Sequence, residues 1–318
     1  MTSENDPNGS EQHDDGTTPA PQGFLPRMDA WMAESPWHPR LMPFAVYLTF
    51  LALIDLVQGY EQRTYPFLYV IQCAVVLWML WRYRAMLPEL NLRFHWLAVP
   101  VGVGVLVAWN LLGWLMAGEF AVRWEALMEG RFLGRIVYEE DAAGHFATTE
   151  PHKLETFLDE SPAFAWPALI LRLLGMSIVV PLFEELFIRS LMLRGLHRAR
   201  TTGIGLVQMA QDIPVIGDWV SGTALGEQAE QHPPVFGRQF LQTPLGQLSV
   251  FGVCASTFVF TISHIMRDWP GCIACGLAYC FLLAATRHKG LGPVVWAHGI
   301  TNALLWAYTL GTGDWQFM

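Results

Sequence analysis

Glu184, Glu185 and Arg189 lie in the run Pro181-Leu182-Phe183-Glu184-Glu185-Leu186-Phe187-Ile188-Arg189, which is otherwise apolar and of helix length. A charge near the centre of a membrane helix costs about 2.5 to 3.5 kcal/mol on insertion scales, so three unpaired ones would cost roughly 8 to 10 kcal/mol. Glu185 and Arg189 stand four residues apart, on one helix face, where a salt bridge offsets part of that cost. Glu184 projects about 100° away and has no such partner, which leaves it for chemistry. Ionisable residues inside a membrane mark functional sites by default.

Two further polar clusters interrupt apolar runs. Phe260-Thr261-Ile262-Ser263-His264 sets an aromatic ring and an imidazole one helical turn apart. His298-Gly299-Ile300-Thr301-Asn302 sets an imidazole and an amide on one face, with Gly299 between them permitting close backbone approach. Together the clusters supply what hydrolysis needs. A carboxylate can take a proton from water as general base, and an imidazole opposite it can orient that water or shuttle the proton. A His and Asn pair can donate hydrogen bonds to the oxyanion of a tetrahedral intermediate, each worth about 3 to 4 kcal/mol.

The three motifs, Glu184-Glu185-x-x-x-Arg189, Phe260-x-x-x-His264 and His298-x-x-x-Asn302, in that order and each in an apolar run, resemble those of the CAAX prenyl protease and bacteriocin-processing family of intramembrane proteases. The runs Trp81-Arg82-Tyr83-Arg84 and Leu87-Pro88-Glu89-Leu90, with the closing stretch His298 to Phe317, further resemble the bacterial CAAX prenyl protease-related subgroup, found alongside PEP-CTERM and exosortase sorting systems. The resemblance implies that Glu184 is the catalytic glutamate and that His264 helps it activate water. It assigns the oxyanion hole to His298 and Asn302, and the holding of the helix to Glu185 and Arg189, with no cofactor. The chain departs from the family pattern in one place. About seventy residues separate Arg189 from Phe260, where family members use a short hairpin, and the insertion bears on how substrate reaches the site.

Composition sets the frame for these residues. Of 318 residues, 53% are hydrophobic and 15% charged, with 14 Trp and a mean hydropathy of +0.30, a profile that points to an integral membrane protein. The net charge of -9 comes from the N-terminal tail and the stretch around 119–160, and no basic patch points to nucleic acid. Five cysteines all lie in or beside apolar runs; Cys272 and Cys275 have CxxC spacing but lack the further ligands a zinc site needs.

Residues 1–38 are rich in Ser, Asn, Asp, Gly, Pro and Gln and read as a disordered tail without a cleavable signal. Residues 39–318 form the membrane-embedded domain. Seven apolar segments, 41–59, 66–81, 95–117, 163–196, 248–266, 271–285 and 291–310, each come close to bilayer-crossing length. The fourth contains Pro167 and Pro181, which predict a broken or kinked helix. The expected architecture is an all-α bundle of about seven spans around a polar cavity. Two interfacial insertions are expected, about 118–162 and 198–247, the first with an amphipathic helix through Trp124, Leu127, Phe132 and Ile136. A span within the second would make eight.

Lys and Arg favour the side of the tail by eleven to six, which predicts a cytoplasmic N-terminus and, with seven spans, an outside C-terminus; the subgroup resemblance implies a bacterial inner membrane. The expected activity is cleavage of a membrane-associated protein or peptide. One alternative is a zinc protease using Glu184, Glu185, His264 and His298, although there is no HExxH and Asn302 is left idle. Another is a non-catalytic scaffold or immunity protein of the same fold.

Overall fold

The computed structural model describes residues 23–58, 65–116, 138–140, 146–148, 161–197, 199–213, 215–237, 240–264 and 268–313. Among them the helices are α1 (Phe24–Glu34), α2 (His38–Gln58), α3 (Tyr65–Arg82), α4 (Ala98–Met116), α5 (Pro162–Gly195), α6 (Ala199–Gln211), α7 (Ile216–Ser221), α8 (Ala224–Glu230), α9 (Val250–Ile262), α10 (Trp269–Thr286) and α11 (Gly292–Thr312). A short antiparallel hairpin, β1 (Tyr138–Glu140) against β2 (Phe146–Thr148), lies in the acidic connection. The fold is helical, as expected.

Each of the seven apolar segments forms a helix, but seven spans are not confirmed. Among the described residues, α5, and α10 with the turn that extends it to Lys289, are both long and apolar enough to cross a membrane. α9 has 13 residues, against the roughly 20 a crossing takes. In the second insertion α6, α7 and α8 have 13, 6 and 7 residues, so none of them supplies an eighth span.

The boundary of the tail is corrected by α1, which begins at Phe24 inside the stretch expected to lack structure. Its Met32 is buried with Met79 and Tyr83, and Asp29 pairs with Arg82 while accepting a 3.0 Å hydrogen bond from the Tyr83 hydroxyl. Residues 1–22, the amphipathic stretch from Trp124 to Ile136 and residues 314–318 lie outside the described residues.

α5 is continuous rather than broken. Its regular geometry is interrupted by two π turns, Gly175–Val179 and Leu186–Met192. Pro181 has no N–H to give the carbonyl four residues before it, and the first π turn widens the helix just there. Helices depart from α geometry in this way mostly at functional positions. The short α segment between the two turns, Val180–Glu185, carries both motif glutamates.

Around α5, α4 packs between α10 and α11, and α9 packs on α10 and on the second π turn. Small residues allow the helices to approach. A Cβ on Gly102 would stand 2.7 Å from the Ala297 carbonyl oxygen, and the Thr301 hydroxyl lies 2.9 Å from the Gly102 oxygen.

A buried polar staple ties the end of α5 to the rest. Arg40 grips Glu89 through two hydrogen bonds of 2.7 and 3.0 Å, and the Ser190 hydroxyl donates to the same carboxylate. Arg194 donates to the carbonyls of Thr243 and Leu241 at 2.9 and 2.7 Å. Burial alone would push the Glu89 carboxyl up, but the charge and hydrogen bonds of Arg40, with the bond from Ser190, hold it below the usual carboxylate value. Such a group stabilises the fold fully above its unfolded pKa, and that stabilisation fades as pH falls through the folded value. The melting temperature of the purified protein should therefore drop on acidification below about pH 4.3, and less steeply in Glu89→Gln. Parallel pH profiles for the two proteins would remove Glu89 as the cause.

Candidate active site

Glu185 is fully buried and faces two partners. Its Oε2 lies 3.4 Å from Arg189 Nε, and its Oε1 lies 2.9 Å from His298 Nδ1. A carboxylate only accepts, so Nδ1 of His298 carries the hydrogen and donates it. That turns the other ring nitrogen to chemistry. His298 Nε2 stands 3.8 Å from Glu184 Oε2, too far for a direct hydrogen bond. The Glu184 side chain is 13% exposed and Oε2 has no hydrogen-bond partner. Helical spacing pairs Glu185 with Arg189 alone, and its grip on the imidazole is an addition.

His264 lies just past the end of α9, which closes at Ile262. Its Nδ1 is 2.8 Å from the Phe260 carbonyl, which again can only accept, so Nε2 is the nitrogen able to take a proton. Phe260 sits at the centre of the group. Its ring packs 4.6 Å from that of His264 and 6.4 Å from that of His298, and the Arg189 guanidinium lies 5.4 Å from its centroid. The opposite wall for Arg189 is Tyr279, at 5.7 Å. None of the Arg189 nitrogens makes a hydrogen bond, so the guanidinium is held by the Glu185 charge and two aromatic faces.

Asn302 is engaged elsewhere. Its Nδ2 donates at 2.8 Å to the carbonyl of Met176, in the first π turn of α5. One of its two amide hydrogens is thus committed to the backbone of the helix that carries Glu184. The structure therefore gathers Glu184, Glu185, Arg189, Phe260, His264 and His298 into one group, and ties Asn302 to the frame behind it. Among the described residues, no three His, Cys, Asp or Glu side chains come together in a group that could hold a metal ion. The four residues of the zinc alternative thus do not form such a set.

Residues 235–304 match the family model for the type II CAAX prenyl endopeptidases, Rce1-like. This segment is similar to that family. The match agrees with the CAAX protease resemblance of the motifs, and the family is one of membrane proteases. It takes in Phe260, His264, His298 and Asn302, while Glu184, Glu185 and Arg189 lie upstream of it. No curated protein and no solved structure matches the chain.

Two residues of the Rce1-like segment join the site without a signal in the motifs. Tyr279, fully buried, has its ring 5.6 Å from that of His298 and shares a 2.7 Å hydrogen bond with Thr301. Thr301 lies between His298 and Asn302 and reaches back to the Gly102 carbonyl. A lone phenol in an apolar helix gives sequence reasoning nothing to separate it from Tyr47 or Tyr69.

Gly299 sets the distance between α11 and α5. A Cβ there would lie 2.4 Å from the carbonyl oxygen of Ser177, a backbone atom inside the first π turn. Gly299→Ala is therefore expected to lower stability by about 1 to 3 kcal/mol, the usual range for overpacking, despite the better helix propensity of alanine. Thermal unfolding in nanodiscs checks it, and an unchanged or raised melting temperature would show that the two helices separate freely.

Proposed function

We propose that the protein is an intramembrane endopeptidase in which Glu184 activates water against a peptide bond of a membrane-associated protein or peptide. The observation that carries this reading is a group in which His298 stands beside Glu184 and both His264 and His298 pack on Phe260, each imidazole with Nδ1 tied down and Nε2 left for proton transfer. Glu184 takes a proton from water as the oxygen attacks the scissile carbonyl carbon, and His264 Nε2 orients that water or relays the proton. When His298 carries a hydrogen on both nitrogens, Nδ1 donates to Glu185 and Nε2 donates to the developing oxyanion. The C–N bond then breaks, and the proton held by Glu184 or His264 passes to the leaving amine.

Asn302 has one amide hydrogen left for the oxyanion, and its other bond fixes the π turn beneath Glu184. The Rce1-like match supports peptide hydrolysis as the class of reaction. The runs at 81–90 support a bacterial inner-membrane setting and a substrate of the PEP-CTERM and exosortase sorting type.

The test is an add-back experiment. Purified protein is incubated with membranes from cells lacking it, and new peptide termini are read by mass spectrometry beside a Glu184→Gln sample. New termini only with the wild type are expected. The same termini in both samples, or none in either, would overturn the proposal.

A further inference from the structure

The insertion between α5 and α9 leaves and returns at one point. The Ser249 hydroxyl, which caps α9, donates at 2.7 Å to the carbonyl of His197, just past the end of α5. Helices α6 to α8 are thus hung from the end of a helix long and apolar enough to span a membrane. Two half-buried glutamines tie them to one another and to the chain that follows. Gln208 donates to the carbonyls of Ala229 and His232 at 2.9 and 3.0 Å and accepts from the Val235 N–H at 2.8 Å. Gln211 donates to the Ser221 hydroxyl and the Gly226 carbonyl at 3.0 and 3.3 Å.

The apolar side chains do the reverse. In the α6–α7 connection and α7, Ile213 is 42% exposed, Val215 87%, Ile216 48% and Trp219 74%. Val215 is held at φ 73°, a backbone conformation that β-branched residues rarely adopt. Four apolar side chains exposed together at this tip suit a surrounding less polar than water.

We propose that Ile213 and residues 215–219 form a wedge seated in the interfacial region of the bilayer. Continuity with α5 on one flank, and the hydrogen bond that pins the return at Ser249, put the tip within reach of the lipid surface. A tryptophan at the tip fits the headgroup level, where indoles concentrate. Asp218, exposed between Ile216 and Trp219, limits the depth, because a carboxylate is excluded from the hydrocarbon. α8 carries the exposed Glu227, Gln228 and Glu230 and remains on the water side. The wedge is independent of the chemistry at Glu184.

The test places spin labels in the full-length protein in phosphatidylcholine and phosphatidylglycerol nanodiscs, one at Val215→Cys and one at Gln228→Cys, in a Cys73→Ala, Cys254→Ser background. A third label at Trp219→Cys guards against local misfolding at 215. Collision with oxygen, which partitions into lipid, is compared with collision with a water-soluble nickel chelate. The oxygen-to-nickel ratio at 215 and 219 should exceed that at 228 several-fold. Equal ratios at all three positions would overturn the proposal. So would shielding of 215 and 219 from both reagents with label-to-label dipolar broadening, which would show a second copy of the chain on this face instead.

Discussion

Glu184→Gln should lower the rate of cleavage by about 10² to 10⁴-fold, the usual contribution of a general base, while the melting temperature holds or rises. The two outcomes follow from one geometry. Gln keeps the shape of the side chain and removes a carboxylate whose Oε2 is buried without a hydrogen bond, so the folded state loses nothing that it depends on. The amide cannot take a proton from water, and the imidazole of His298 is left without the acid it faces. Glu184→Asp should retain a fraction of the activity, because the carboxylate survives but is drawn back by one methylene. Turnover and thermal unfolding are measured on the same nanodisc preparation. A variant that unfolds, or that cleaves at the wild-type rate, would show that Glu184 serves the fold or nothing at all.

The second large effect belongs to Glu185. It is the counter-charge of a fully buried Arg189 and the acceptor for His298 Nδ1. Glu185→Ala should destabilise the protein by about 3 to 5 kcal/mol, the cost of leaving one partner of a buried pair uncompensated. The double variant Glu185→Leu, Arg189→Met removes both charges, and replacing a buried pair by apolar groups of similar volume is often neutral or stabilising. It should therefore recover stability and yet stay inactive, because His298 has lost the group that fixes its ring. Activity in the stable double variant would mean that the imidazole needs no such orientation. If the double variant is no more stable than Glu185→Ala, the loss in the single variant does not come from the stranded Arg189.

The motif residues were legible because each is a polar side chain in an apolar run, where composition alone makes it conspicuous. Spacing then gave the Glu185 and Arg189 pair, found here with 3.4 Å between Nε and Oε2. The contact from Glu185 to His298 joins positions 113 apart in sequence, and no local period encodes such a pair. Asn302 illustrates the same limit: its i,i+4 relation to His298 was visible, but its bond to Met176 depends on a π turn that follows from Pro181 and from how closely Gly299 lets α11 approach. The staple of Arg40, Glu89 and Ser190 has no local signal, since it forms from three distant segments. α1 was read as tail because Phe24 to Glu34 follows a strongly polar stretch, and the burial of its Met32 comes from packing with Met79 and Tyr83. Helix existence was read better than span count, because an apolar run predicts a helix without fixing where it ends, as α9 shows at Ile262.

The most direct measurement compares the peptide termini of membrane fractions from cells carrying the wild-type protein and cells carrying Glu184→Gln, with both proteins present at equal abundance. The proposed chemistry predicts at least one membrane protein that is shortened in the wild-type cells and full-length in the variant. Identical sets of termini in the two membranes would contradict it.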